Sequence, residues 1–161
     1  MTFQAARNRR EVRAVRIPTM ADPAPFVFSI RPIYVAMFFS GRKQVEFRTR
    51  RPSLAAGDTV LVYETAPTSA IVATAVAGAL HVGSPARVWE LAGERGGITK
   101  VEFDRYFAER EVAVAIEIDV TRLSTAVPLP PRMAAPQAWA RWRGEWPLRE
   151  CRDEGCGSSG A

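Results

Sequence analysis

The sequence predicts a mixed α+β domain built on a small closed or nearly closed sheet. Three observations lead there. Short β-rich runs recur between Phe26 and Val120, set apart by Gly, Pro and Asp turn signals. Helix-start signals interrupt them at only a few places, so strands carry the core. The 161 residues are 47% hydrophobic and 24% charged, the balance of one globular domain with tails.

Phe26–Ile30 is a β-rich run, and Arg31-Pro32 follows it. Proline at a first helical position starts a helix there, because its missing N–H is not needed. That helix covers Ile33–Ser40, with Ile33, Met37 and either Val35 or Phe38 facing the core, and Gly41 ends it in the left-handed conformation. Arg42–Arg51 restarts as a strand, with Val45, Phe47 and Thr49 on one face and Glu46, Arg48 and Arg50 on the other. Pro52 and Gly57-Asp58 mark the next turn. Thr59–Tyr63 is a strand, closed by Glu64–Pro67. Ala70–Val82 is a buried strand with a bulge at Gly78.

Ser84-Pro85 opens a helix through Leu91, with Ser84 as N-cap. Thr99 and Glu102 have capping-box spacing and start a helix through Glu109, whose apolar set is Val101, Phe103, Tyr106 and Phe107. Val112, Val114, Ile116, Ile118 and Val120 alternate with smaller or charged residues as a half-buried strand. Val127–Pro136 is irregular, and Trp139 and Trp142 form a last short helix that folds back. No apolar run approaches the ~18 residues of a membrane span.

The net charge of +5 is unevenly placed. Residues 1–25 carry five Arg against two acids, whereas residues 26–130 carry twelve basic and eleven acidic side chains. The first stretch reads as a disordered basic arm, either a nucleic-acid contact or an extension without function. Residues 143–161 read as a second disordered tail. It contains Cys151 and Cys156, whose spacing, with no nearby His, makes no zinc set. No metal or other cofactor is expected. With neither a secretory signal nor a cysteine framework, the expected location is the cytoplasm.

One segment concentrates chemistry: Gly41-Arg42-Lys43-Gln44-Val45-Glu46-Phe47-Arg48. Of 22 basic residues only Lys43 and Lys100 are lysine, and Lys43 falls here. Gly41 lets the chain reverse from helix to strand and sets Lys43 at the mouth between them. Glu46 and Arg48 are two apart on a strand, so they project from one face. An ammonium, a carboxylate and a guanidinium then converge, which suits a phosphate, a base edge or a proton-transferring lysine. The plainer reading is an ion pair on a solvated strand face.

This segment resembles the GxKxxExR signature of ASCH domains, relatives of the PUA fold. The flanks agree: Phe28–Tyr34 is similar to that family's strand-to-helix junction, and Gly57-Asp58 with the strand ending Tyr63–Pro67 to its next elements. Pro136–Trp139 is similar to a closing segment of some members. The resemblance covers residues 26–142. It implies a PUA-like small β-barrel flanked by short helices, and RNA or a nucleotide-like ligand as partner in an RNA-processing or regulatory role. Gly41, Arg42, Lys43, Glu46, Arg48, Tyr63 and Thr65 would line the ligand cleft. If the protein is an enzyme, a hydrolase is implied, either an amidohydrolase of modified nucleosides or a ribonuclease, with Lys43 and Glu46 catalytic. The amidohydrolase branch has Thr at the position of Glu46, and a carboxylate cannot act as that hydroxyl. A non-catalytic regulatory or interaction module is the third reading.

Other residues carry paired readings. Tyr63 either stacks on a base or packs at a core edge. Thr65 and Ser69 are nucleophiles or turn-forming hydroxyls, and neither has a neighbouring His. Arg50 and Arg51 extend a phosphate-binding strip or protect a strand edge. Trp139, Trp142 and Trp146, interleaved with Arg141, Arg143 and Arg149, form a stacking platform or cap a core, the latter preferred for Trp139. His81 reads as a loop or strand-edge residue.

Overall fold

The computed structural model describes residues 23–144. The basic arm up to residue 22, Trp146 and both cysteines lie outside the described residues. The elements run β1 (Phe26–Ile30), α1 (Pro32–Phe39), β2 (Val45–Arg48), β3 (Thr59–Glu64), β4 (Ala70–Gly83), α2 (Pro85–Ala92), a single 3-10 turn (Gly93–Arg95), α3 (Lys100–Tyr106), β5 (Ala113–Val127) and β6 (Trp139–Arg141). The six strands form one curled half-barrel sheet in the order β2-β5-β4-β3-β1-β6. β1 and β3 pair in parallel and every other pairing is antiparallel.

Apolar clusters occupy both faces of this sheet. The concave face gathers Phe26, Phe28, Ile30, Val60, Val62, Ala73, Ala75, Ala77, Val114, Ile116 and Ile118, and α1 adds Val35 and Phe38. The outer face of β2 and β5 is covered by α2 and α3 through Val88, Ala92, Phe103 and Phe107. The outer face of β1 and β3 is covered by the closing segment, through Met133 and Trp142. The predicted bulge in β4 is real. The pairing of β4 with β5 shifts register between Ala77 and Leu80, and these two residues, three apart, share the concave face.

The signals at the element ends act as expected. Pro32 starts α1, and Gly41 follows it at φ +75°. The Ser84 hydroxyl accepts the Arg87 N–H. Thr99 and Glu102 cap each other reciprocally at the start of α3.

Several expectations need correction. In α1 it is Val35 and Phe38 that are buried, while Ile33 is exposed. The inward stripe of the helix is therefore rotated by one to two residues from the expected Ile33 and Met37. β2 is confined to Val45–Arg48, the residues in ladder register with Val114–Glu117 of β5. α3 ends at Tyr106, leaving Val101 and Tyr106 exposed and only Phe103 and Phe107 inward. β5 begins at Ala113 with both faces covered, and Val112 lies exposed outside it. Trp139–Arg141 is a strand, not a helix. It pairs with Phe26–Phe28 of β1, whose edge takes up its backbone groups, and Trp139 caps the concave core edge-on to Phe26 at 5.8 Å between centroids. Among the described residues no helix is long and apolar enough to cross a membrane.

Candidate functional site

Helix α1, the reversal at Gly41 and strand β2 bring the signature residues together. Glu46 pairs with Ile116 and Arg48 with Val114 across β2 and β5, so both side chains point to the concave face. That face is not solvated here. Lys43, Glu46 and Arg48 are 4%, 8% and 7% exposed, the buried charged residues among those described. The solvated-face reading is therefore excluded by α1 and β1, which close over the pair.

Their geometry is a linear triad with Glu46 in the middle. Lys43 Nζ lies 3.3 Å from Glu46 Oε2, and Arg48 Nη2 lies 3.1 Å from Glu46 Oε1. Lys43 Nζ also donates to the Gly96 carbonyl at 2.7 Å and faces the rings of Tyr34, Phe38 and Phe47 at 5.2, 5.3 and 5.6 Å. These partners all suit an ammonium. Arg48 Nη2 donates to the Ser29 carbonyl at 3.2 Å, and its guanidinium carbon sits 4.9 Å from the centre of the Phe28 ring. Arg48 Nε is buried with no hydrogen-bond partner among the described residues.

The other predicted site residues are not all brought here. Gly41 shapes the reversal. Arg42 is exposed and donates to Ser40 Oγ, away from the triad. Tyr63 is buried on the opposite face with Val27, Leu61, Ile71, Met133 and Trp142, so the sheet lies between it and Lys43. Thr65 is partly buried. Its N–H donates to the Ile30 carbonyl at 3.0 Å, one residue past the carbonyl that holds Arg48. Arg50 and Arg51 are exposed, and His81 lies within β4.

Two participants were missed from sequence. Gly96 enters through its carbonyl, which no side-chain pattern reveals. Tyr106 was read as helix core, but it sits at the border of the inward stripe, beside Phe107 at 4.7 Å. Its ring is half-exposed while its hydroxyl lies against Thr49, with Arg48 and Glu46 near enough to act on its charge. Burial pushes the phenol above its ordinary value; Arg48 opposes this and Glu46 adds to it. Spectrophotometric titration at alkaline pH, comparing the protein with Tyr106→Phe, should show one phenol ionising above about 10, the ordinary tyrosine value. The raised value favours the neutral phenol in the fold. Its contribution to stability is thus intact below about pH 10 and is lost as pH rises through the folded value. An unaltered titration curve in Tyr106→Phe above that pH would refute the placement.

The sequence family model for the ASCH domain matches residues 28–122, more than half of the chain. A curated relative, the ASCH domain-containing ribonuclease of Zymomonas mobilis, is 29% identical over 94 residues, which span 58% of this chain and 64% of the relative. The match thus falls short of two thirds of that relative's length. The crystal structure of ASCH from Zymomonas mobilis superposes with a TM-score of 0.69 at 24% identity, covering 76% of this chain and 90% of that one. A mutant form of the Zymomonas protein gives the same TM-score at 25% identity, with the same coverage. The half-barrel with its three short helices is accordingly the PUA-like α+β fold, and the chain belongs to the ASCH domain family.

Proposed function

We propose that this ASCH protein binds RNA or a nucleotide-like ligand through the cluster of Lys43, Glu46 and Arg48. The observation that carries the reading is the charge count of a buried site. Two cations share one carboxylate, and the Arg48 Nε–H has no acceptor among the described residues. A buried excess cation is costly, and an anionic oxygen arriving beside it relieves that cost. A phosphate of RNA supplies such an oxygen.

Hydrolysis of RNA at the same cluster is the second reading. It is favoured by the relative named as a ribonuclease. In that case Lys43 and Arg48 serve as electrostatic stabilisers of charge developing on the phosphate. A general-base role for Lys43 has less support, since its contacts are those of a donor. Nucleoside amide hydrolysis has less again, because Glu46 is the shared acceptor of two cations and offers no hydroxyl.

Lys43→Met tests the proposal, since it removes the excess cation and leaves the Glu46–Arg48 pair balanced. Fluorescence anisotropy with a labelled single-stranded RNA, read across a salt series, should show binding weakened at least ~10-fold and a salt slope reduced by about one. Equal affinity at every salt concentration would reject the site. Gel analysis of the same mixtures reads cleavage directly. Products formed by the parent protein and absent with Lys43→Met support the ribonuclease reading.

A further inference from the structure

Lys43 is gripped from outside the sheet by a strap, the segment Gly93–Gly97 between α2 and α3. The strap touches the site at two adjacent backbone atoms. The Gly96 carbonyl accepts the Lys43 ammonium at 2.7 Å, and the Arg95 carbonyl accepts the Gln44 N–H at 2.8 Å. The carbonyl of Gln44 in turn accepts the Ile118 N–H of β5 at 3.0 Å. Lys43 is thus held where the strap is held.

One side chain fastens the strap to the sheet. Arg95 Nη1 donates to Glu117 Oε1 at 2.9 Å, while Arg95 Nη2 donates to the Leu91 carbonyl at 3.3 Å and ties the guanidinium back to α2. Glu117 lies on β5 opposite Val45, on the outer face of the sheet. His81 Nε2 lies 3.0 Å from the same Oε1. The missing side chain of Gly78 leaves room for Glu117, because a Cβ there would stand 3.0 Å from Glu117 Cβ. The hydrogen bond with His81, helped by Arg95, holds the Glu117 carboxyl below its ordinary value although burial pushes the other way.

We propose that Glu117 is a positioning residue for the Lys43 site: by holding Arg95 it fixes the strap whose Gly96 carbonyl sets the Lys43 ammonium beside Glu46. Glu117 touches no ligand in this scheme and acts through two backbone contacts. Its effect on RNA affinity rests on the reading of Lys43 as the ligand-facing cation, whereas its effect on the position of Lys43 does not.

The chain contains only two lysines, Lys43 and Lys100, which makes the test direct. In protein labelled with 13C-lysine, the ε-methylene signals are two. That of Lys43 should be displaced by the rings of Tyr34, Phe38 and Phe47, which its Nζ faces at 5.2, 5.3 and 5.6 Å. Glu117→Ala should move the Lys43 signal toward the position of an exposed lysine, and Arg95→Ala, which breaks the same contact from the other side, should reproduce the move. Glu117→Gln, which keeps an acceptor for Arg95, should restore most of the original position. Arg87→Ala, which removes an exposed ion pair on α2, should leave the signal in place. RNA affinity measured on the same samples should fall several-fold in the first two variants. A lower melting temperature with an unmoved Lys43 signal would mean a merely structural role and would overturn the proposal. A moved signal with unchanged RNA affinity would uphold the positioning role and reject Lys43 as ligand-facing.

Discussion

Replacing Glu46 by Gln is expected to destabilise the domain by roughly 3–5 kcal/mol, the range for removing one partner of a buried ion pair. Glu46 is the one carboxylate between two cations, and all three side chains are at least nine-tenths buried. Glutamine keeps the shape and an acceptor oxygen but loses the charge. Lys43 and Arg48 are then left as two like charges in a site walled by Phe28, Phe38 and Phe47. The Gly96 and Ser29 carbonyls remain as partners, but a dipole does not neutralise an ion. Lys43→Met leaves a neutral pair, so its stability cost should be clearly smaller although, on the proposed function, its cost to RNA binding should be larger. Urea unfolding of the two variants checks the ordering: the midpoint should fall much further for Glu46→Gln, with an unchanged slope. Equal midpoints would show that the triad is not the charge balance described above.

How much of this was legible in the sequence differs by level. Element order followed from local chemistry: Pro32, Ser84, Thr99 with Glu102, and the alternation of β5 from Val114 to Ile118 each act within a few residues. The signature residues were legible because a period of two puts Glu46 and Arg48 on one face whatever the tertiary setting. Their burial was not, since it depends on α1 and β1 closing over β2. Tyr63 shows the same limit. Its position on β3 was clear, but which face of the sheet meets Lys43 is decided by long-range strand order. Trp139 and Trp142, three apart, would share one face of a helix, but on the extended chain they pack on opposite faces of the sheet, and the free edge of β1 decides for the strand. Tyr106 and Gly96 were invisible for a related reason: each contributes a single atom at the end of an element whose own pattern is about packing.

Gly96→Ala is expected to cost about 1–3 kcal/mol through overpacking and to weaken the Lys43 site with it. The backbone at Gly96 is ordinary, with φ −82° and ψ −15°, so strain in the glycine itself is not the cause. Space is. An added Cβ would stand 2.1 Å from Phe47 Cε2 and 2.6 Å from Cζ. The Phe47 ring cannot swing clear, because it packs edge-on against Phe103 at 5.0 Å and Phe107 at 6.4 Å in the layer under α3. The strap must therefore lift, and with it go the carbonyl that holds Lys43 and the carbonyl that holds the Gln44 N–H. The clash makes a specific demand on a double-mutant cycle with Phe47→Leu, which trims the ring that the methyl meets. Alone, each change should lower the urea midpoint. Together they should cost less than their sum by at least ~0.5 kcal/mol, the coupling found for residues in contact. Strict additivity would mean that Gly96 is needed for something other than the close approach of the strap to Phe47.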